Sequence, residues 1–253
     1  MAAAPTLSVI VVTRDRPQLL ADALADVARQ VPAPLEVRIG DDGGGNAATV
    51  AEALTALEVT LLPLSCGQPG AARNAAARGA RGEVLVFLDD DDRWLDGHLA
   101  GLAEAFRDPG VGFAWRDCHV MREQLAADGT RRVLGVRRIA RDWDDALMHS
   151  DDFLPPSSWG VRRSVFEALG GFDETFRYSE DWDFVLRARA ATRVVRAPGV
   201  SVEVRLREHG NASAEFTPER LACLARLAER HGFATPPPKT FWEVAEVAGE
   251  ALA

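Results

Sequence analysis

The chain has 253 residues, a formal net charge of −9 and 47% hydrophobic residues. This length allows one large domain or two small ones, and the composition excludes a disordered chain, a collagen-like fibre and a disulfide-dense miniprotein. The acidic balance argues against nucleic acid as the main partner, because phosphate binding requires a basic surface. An anionic substrate would therefore need a metal ion or local arginines, since Lys239 is the one lysine in the chain.

Neither a membrane span nor a targeting segment is predicted. Apolar runs such as Leu7–Val12 and Val84–Leu88 are much shorter than the roughly 18 residues that cross a bilayer. The N-terminus lacks the basic stretch of a signal peptide. The scattered cysteines, Cys66, Cys118 and Cys223, indicate neither a disulfide framework nor a metal site. We therefore expect a cytoplasmic protein, and the arginine and alanine enrichment favours a bacterial source.

The first part of the chain alternates between strand and helix patterns. This alternation predicts a mostly parallel sheet with helices on both faces, an α/β fold of the Rossmann-like kind. In such sheets ligands bind beyond the carboxyl ends of the strands. The predicted strands are Leu7–Thr13, Leu35–Gly40, Val59–Leu64 and Glu83–Leu88, and the predicted helices are Pro17–Arg29, Asn46–Leu57 and Ala71–Arg81.

After the fourth strand the alternation weakens, and a mixed section followed by C-terminal helices is predicted. Extended segments are expected at Val111–Met121, Arg132–Ile139, Pro155–Val161 and Thr192–Arg205. Helices are expected at Leu95–Phe106, Ser179–Ala190, Pro218–His231 and Phe241–Ala251, and a short helix is expected after Val161, ending at about Leu169.

Four consecutive aspartates, Asp89–Asp92, follow the fourth predicted strand. Side chains alternate along an extended chain, so the first and third are expected to face one way and the second and fourth the other. Two like charges about 4 Å apart repel by roughly 4 kcal/mol at an effective dielectric near 20, and a divalent cation reverses that repulsion. Oxygen ligands favour Mg²⁺ or Mn²⁺. The alternative is a solvated acidic turn; the second acidic pair, Asp41-Asp42, at another strand end favours the cation site.

Four other features are open to both a chemical and a structural interpretation. Gly43–Gly45 lacks the spacing of a phosphate-binding loop. Arg73 lies near a helix start, where it could bind an anion or face solvent. Ser179 could simply cap a helix whose first turn is acidic, whereas Asp181 there could be a general base kept ionised by the helix N-terminus. His209 stands alone, and a lone histidine is more often structural than a ligand.

Taken together, these segments resemble the family 2 glycosyltransferases of GT-A fold, over roughly residues 7–215. Each segment alone is a weak signal, but six in the right order are specific. They are Ser8–Pro17 (similar to SVIIPTYNRP), Ile39–Gly43 (VVDDGS), Gly70–Asn74 (G-x-x-x-ARN), Phe87–Trp94 (FLDxDD, which contains the DxD motif), Gly170–Glu174 with Glu180–Asp183 (GGFDE…EDWD), and Arg207–Ser213 (R-x-H-x-x-N-x-S).

The resemblance implies a site for a nucleotide-diphospho-sugar, with UDP- or dTDP-sugars as the expected donors. Thr13 and Asp42, with Asp41 beside it, would hold the base and ribose. Arg73 would contact the base or the diphosphate. Arg14 stands where the family usually has an aromatic residue near the base, and its planar guanidinium can also stack.

The resemblance also implies a metal site and a catalytic base. Asp89 and Asp91 would form the DxD pair, with Asp91 as the direct ligand of Mn²⁺ or Mg²⁺ and Asp90 beside the donor. His209 would approach the diphosphate or the metal. Asp181 would take the proton of an acceptor hydroxyl, which gives a single displacement with inversion.

On this interpretation residues 1–215 form one domain, with a nucleotide-sugar half (1–92) and an acceptor half (93–215), and residues 216–253 form a helical extension. That extension could cover the acceptor cleft or form a homodimer. Trp115, Trp143 and Trp159 could stack on an acceptor, a sugar or another small molecule, or belong to the core. Two rival functions stay open: a sugar nucleotidyltransferase, although the glycine-rich, lysine-containing loop usual there is missing, and a nucleotide-sugar-binding protein without activity.

Overall fold

The computed structural model describes residues 4–125, 131–207 and 216–252. In these residues ten strands form one sheet: β1 (Leu7–Thr13), β2 (Glu36–Asp41), β3 (Val59–Pro63), β4 (Val84–Asp89), β5 (Arg93–Trp94), β6 (Val111–Leu125), β7 (Arg131–Ile139), β8 (Trp159–Arg162), β9 (Arg193–Arg207) and β10 (Glu250–Ala251). The helices are α1 (Pro17–Ala28), α2 (Ala48–Glu52), α3 (Pro69–Ala77), α4 (His98–Ala105), α5 (Asp145–Met148), α6 (Arg163–Ala168), α7 (Glu180–Ala191), α8 (Pro218–His231) and α9 (Phe241–Ala248), with a 3₁₀ turn at Pro156–Ser158.

The sheet has a parallel half and a mixed half. Strands β3, β2, β1 and β4 lie side by side and parallel. Next to β4, β8 is antiparallel, and it leads to β6, which pairs with both β7 and β9. The register brings Thr13 beside Asp41 and Val12 beside Asp89. The polar ends of β1, β2 and β4 therefore meet at one edge, and the predicted fold class is confirmed.

Three local predictions differ from the structure. The helix predicted over Asn46–Leu57 shrinks to α2, which has no side-chain cap and contains β-branched residues that favour helix weakly. The last helix ends at Ala248, and β10 follows instead. Gly249 allows the chain to approach β7 closely, since a Cβ at this position would lie 2.8 Å from the Arg138 carbonyl oxygen. Strand β5 was not predicted; its two residues pair with β9.

Two of the sequence motifs pack against each other. Asn74 on α3 accepts the N–H of Phe172 at 2.9 Å and donates to the carbonyl of Phe172 at 2.8 Å. Gly171 adopts a left-handed φ of 72° directly before this contact, a conformation that favours glycine. A Cβ on Gly70 would lie 2.9 Å from Cγ of Glu180. These contacts fix α3 against the start of α7 and so position Arg73.

Replacing Asn74 by alanine is expected to lower the free energy of unfolding by about 1–3 kcal/mol, because two backbone groups of the Phe172 turn lose their partner. Urea denaturation at pH 7 measures this loss. The control is Asn46→Ala at an exposed site, where a change within about 0.5 kcal/mol is expected. Equal effects at the two sites would contradict the docking role of Asn74.

The C-terminal helices pack onto the rest of the chain. Asp183 of α7 is fully buried and accepts hydrogen bonds from Arg230 at 3.0 Å and His231 at 2.9 Å, both on α8. Leu227 of α8 and Ala245 of α9 are buried in the core. Within the residues that the structure describes, none of the helices combines the length and the apolar character required to cross a bilayer.

Candidate active site

A cleft of about 470 Å³ opens at the edge where the polar ends of β1, β2 and β4 meet. Its other walls come from residues 150–156, the start of α7, the end of β9 and the C-terminal segment. The cleft brings together most of the residues predicted from the sequence: Thr13, Arg14, Asp42, Arg73, Asp89, Asp90, Asp91 and Asp181.

The four aspartates do not form the extended run that was predicted. Strand β4 ends at Asp89 and the chain turns at Asp90 and Asp91. The alternation of exposure nevertheless holds, since the side chains of Asp89 and Asp91 are 25% and 22% exposed and that of Asp90 only 6%. Asp90 accepts the Thr13 hydroxyl at 2.7 Å. Asp92 accepts the hydroxyl of a serine in the 3₁₀ turn at 2.5 Å. The second and fourth aspartates therefore fix the turn, and the first and third face the cleft.

Two arginines neutralise this acidic turn. Arg16 donates to both Asp90 and Asp91 at 3.2 Å, and Arg207 at the end of β9 donates to Asp91 at 2.5 Å. We did not predict Arg16 as a site residue, although its place after the central strand β1 is a usable signal. Both arginines remain partly exposed, at 39% and 24%.

Asp89 and Asp91 fit a hard divalent cation by their chemistry. Within the described residues, Oδ2 of Asp89 and Oδ1 of Asp91 accept no hydrogen bond from the protein. No group of three or more His, Cys, Asp or Glu side chains in the same part of the chain is arranged to hold a metal. Mg²⁺ typically takes one or two protein carboxylates and completes its shell with water and phosphate oxygens. His209, the third predicted ligand, lies outside the described residues.

Arg73 lines the cleft but is largely enclosed by carboxylates. It is buried and donates to Asp89 at 2.6 Å and to Glu180 at 2.8 Å. Its Nε is buried and has no hydrogen-bond partner in the described structure. Because both terminal nitrogens are already paired, Arg73 is best placed to hold Asp89 and the start of α7 in position. The donor contact of Arg73 stays a prediction, and Glu180 was missed although it adjoins Asp181 in the sequence.

Asp181 opens into the cleft from the first turn of α7. Its Oδ1 accepts the N–H of Trp182 at 2.9 Å, and no side chain of the described residues donates a hydrogen bond to its Oδ2. Burial raises the pKa of Asp181, and the charge of Arg73 opposes the rise. Burial thus opposes the effect expected from the helix N-terminus, which favours the ionised form of Asp181. Ser179 is also not a side-chain cap, since it has a left-handed φ of 63° and makes no capping hydrogen bond.

Another carboxylate, that of Asp152, lies near Asp181 and was not predicted. It lines the same cleft and accepts the N–H of Leu154 at 3.0 Å. Burial, and next the charge of Asp181, raise its pKa well above the usual range. A negative charge on one of the two carboxylates thus disfavours a charge on the other. Burial likewise raises the pKa of Glu180, with the charge of Asp181 adding to the rise.

The titration of Asp90 gives a pH-dependent prediction. Burial raises its pKa to about 6, with the charge of Asp91 as the next cause. The unfolded chain loses this proton at lower pH than the folded protein, so the free energy of unfolding falls as the pH rises toward 6. In EDTA, the free energy of unfolding of the wild type should fall by about 2 kcal/mol between pH 4 and pH 7, relative to that of Asp90→Asn. Urea denaturation measures this difference. If the two proteins differed in free energy of unfolding by the same amount at every pH, a raised pKa of Asp90 in the folded protein would be contradicted.

One end of the cleft continues into a polar recess beside Arg14, Asp42 and Gly43. Asp42 accepts backbone N–H groups from Cys66 and, at 2.8 Å, from Gly67, so it organises the loop before α3. A Cβ on Gly43 would lie 3.0 Å from Cγ of Arg14. The glycine run therefore makes room for the first loop and is not a phosphate cradle. Arg14 is exposed and forms no ion pair with described residues.

Two predicted contacts lie elsewhere. Asp41 is buried and outside the cleft wall, and its carboxylate accepts the N–H of Ala47 at the start of α2. It therefore supports the loop after β2, and its predicted contact with the nucleotide stays a prediction. Trp115 and Trp159 belong to the core, at 3% and 0% exposure, and Trp143 packs against Trp115 with ring centroids 6.3 Å apart. None of these three tryptophans is among the residues that line the cleft.

A cleft lined by carboxylates thus lies at the strand ends of a mixed sheet, which is where α/β folds bind their ligands. Residues 8–170 match the model of the family "Glycosyl transferase family 2", and the chain belongs to that family. It is 30% identical to a glycosyltransferase of Bacillus subtilis, YwdF, over 93% of this chain and 87% of that protein. It is also 30% identical to the O-antigen biosynthesis protein RfbC of Myxococcus xanthus, over 89% of this chain but only 19% of RfbC.

Solved structures confirm the fold. The mannosyltransferase PcManGT of Pyrobaculum calidifontis, in complex with GDP-Man and Mn²⁺, superposes with a TM-score of 0.68 at 21% identity, over 96% of this chain and 69% of that one. TarS 1-349 of S. aureus, in complex with UDP-GlcNAc, gives 0.65 at 20% identity, over 88% of this chain and 66% of that one. Full TarS is longer, and this chain spans 39% of it. The family match and the Bacillus subtilis relative confirm the interpretation as an enzyme, a glycosyltransferase.

Proposed function

We propose that this protein transfers a sugar from a nucleotide-diphospho-sugar to an acceptor hydroxyl, with inversion at the anomeric carbon. One observation carries the proposal: Asp89 and Asp91, which suit a cation, and Asp181, which suits proton abstraction, open into the same cleft. The nucleotide would lie along the recess beside Arg14 and Asp42. The complexes of PcManGT with GDP-Man and of TarS with UDP-GlcNAc support a donor of this chemical class.

The position of each cleft residue suggests its role in the transfer reaction. The acceptor oxygen forms a bond to the anomeric carbon while the bond from that carbon to the diphosphate oxygen breaks. Oδ2 of Asp181 takes the proton of the acceptor, and a carboxylate whose pKa is raised by burial is a stronger base than an exposed one. Arg16 and Arg207 carry positive charge at the acidic turn, where the diphosphate leaves. A divalent cation, Mn²⁺ or Mg²⁺, held by Asp89 and Asp91 would supply further positive charge to that leaving group.

The donor is identified by a panel of UDP, dTDP and GDP, each with Mn²⁺ or Mg²⁺, read by melting temperature. A nucleotide present at a hundredfold excess over its Kd stabilises the folded protein by about 2.7 kcal/mol. The matching nucleotide sugar should then be consumed with release of free nucleoside diphosphate. Release of pyrophosphate from a nucleoside triphosphate would instead indicate a nucleotidyltransferase, and binding without any turnover would indicate a binding protein.

A further inference from the structure

The C-terminal segment, residues 216–252, forms part of the cleft wall. Leu224 on α8, and Phe241 and Val244 on α9, line the same cleft as Asp181. All three lie beyond residues 8–170, the part of the chain that matches the family model. This wall therefore lies outside the part that the family model describes, and it is a candidate for setting the specificity of the enzyme.

The charged groups beside this wall are already engaged. Nζ of Lys239 donates to Asp151 at 2.5 Å, and Asp151 is 2% exposed. Arg220 donates to the carbonyl of Lys239 at 2.6 Å. Arg177 lies 3.7 Å from Glu219. Each cation at this end of the cleft thus has a protein partner, so the wall does not present the unpaired charge that an anionic acceptor would require.

The uncharged part of the wall is apolar. Leu224 and Val244 are 4% and 7% exposed, and Phe241 is half-buried, so its ring remains partly open to the cleft. Apolar surface gains roughly 25 cal/mol per Å² when it leaves water. The hydroxyls of a bare sugar would find no hydrogen-bond partner on Leu224, Phe241 or Val244, whereas an apolar group would fill the space without loss.

We infer that the acceptor carries an apolar group close to the hydroxyl that is glycosylated, and that Phe241 is a specificity-determining residue. This inference rests on the proposed function, because it takes the wall beside Asp181 as the acceptor side. It names the acceptor class as neutral glycosides or alcohols with an aryl or alkyl substituent.

Matched phenyl and methyl glycosides of glucose, galactose, mannose, rhamnose and N-acetylglucosamine test the inference. Their Kd values are measured by ligand-observed NMR on the full chain, with and without UDP and Mn²⁺. At least one phenyl glycoside is expected to bind roughly tenfold more tightly than its methyl counterpart. Phe241→Ser should abolish that preference, and Phe241→Leu should retain most of it.

The control is Val247→Ser, which lies on the same helix but at a position that is 53% exposed and outside the cleft wall. It should leave the preference for phenyl glycosides unchanged. Absence of any phenyl preference in the wild type, including failure of all phenyl glycosides to bind, would overturn the inference. So would a preference that survives Phe241→Ser. Because the glycosides are also titrated without nucleotide, this result stays readable even if UDP does not bind. Failure of UDP, dTDP and GDP alike to bind would count against the proposed function.

Discussion

Replacing Asp181 by asparagine is expected to lower turnover by about 10²–10⁴-fold, which is the range for loss of a general base. The amide keeps the size of the side chain, and its oxygen can still accept the N–H of Trp182 at the start of α7, but it cannot take a proton. In the proposed binding mode the nucleotide lies at the other wall, so its Kd should change little. Steady-state release of nucleoside diphosphate gives the turnover, and calorimetric titration gives the Kd.

Asp145→Asn provides the matched control, because this aspartate is 66% exposed on α5 and lies outside the cleft wall. It should keep both turnover and affinity. Near-wild-type turnover of Asp181→Asn would remove Asp181 from the role of base and direct attention to Asp152 beside it. A Kd that weakens in parallel with turnover would indicate a role in donor binding instead.

Replacing Arg73 by methionine should destabilise the protein by about 3–5 kcal/mol, the cost of leaving buried charge without its partner. Asp89 and Glu180 both lose the guanidinium that lies between them. The pKa of Glu180 is already raised by burial, so protonation relieves part of this cost. The loss should therefore be smaller at pH 5.5 than at pH 8, as measured by urea denaturation.

Arg78→Met controls for the loss of an arginine just after the same helix, since Arg78 is exposed. Its stability should stay within about 0.5 kcal/mol of the wild type. A destabilisation by Arg73→Met that is equal at the two pH values would contradict the idea that carboxylate repulsion is its cause. A fully stable Arg73→Met variant that no longer binds nucleotide would instead support the direct donor contact expected from the sequence.

The sequence was most informative where local patterns decide structure. Residues 7–13 form one buried apolar run, and β1 has the predicted bounds. The register of a parallel sheet then brings the ends of β1, β2 and β4 together, so the acidic site could be located before any coordinates. Boundaries that depend on tertiary contact could not be predicted: β10 forms because Gly249 allows the chain to approach β7.

The roles of individual charged groups were harder to predict, because they depend on partners distant in sequence. The local sequence does not distinguish Arg73 from an arginine that faces solvent. The docking of Asn74 against Phe172 places the Arg73 guanidinium beside Asp89 and Glu180. Asp41 and Asp42 are adjacent, yet one supports α2 and the other faces the cleft. Lys239 reaches Asp151 across 88 positions of the chain. Such long-range pairs follow from the packing of the C-terminal segment, which local pattern does not specify.

The central claim is that Asp89 and Asp91 bind a nucleoside diphosphate with the help of a divalent cation. Isothermal titration of UDP, dTDP and GDP into the wild type and Asp91→Asn, in Mn²⁺ and in EDTA, tests it most directly. The account predicts that at least one nucleotide binds the wild type at least tenfold more tightly in Mn²⁺ than in EDTA, and that Asp91→Asn loses this gain. Equal affinity in Mn²⁺ and EDTA, or a gain that Asp91→Asn retains in full, would contradict it.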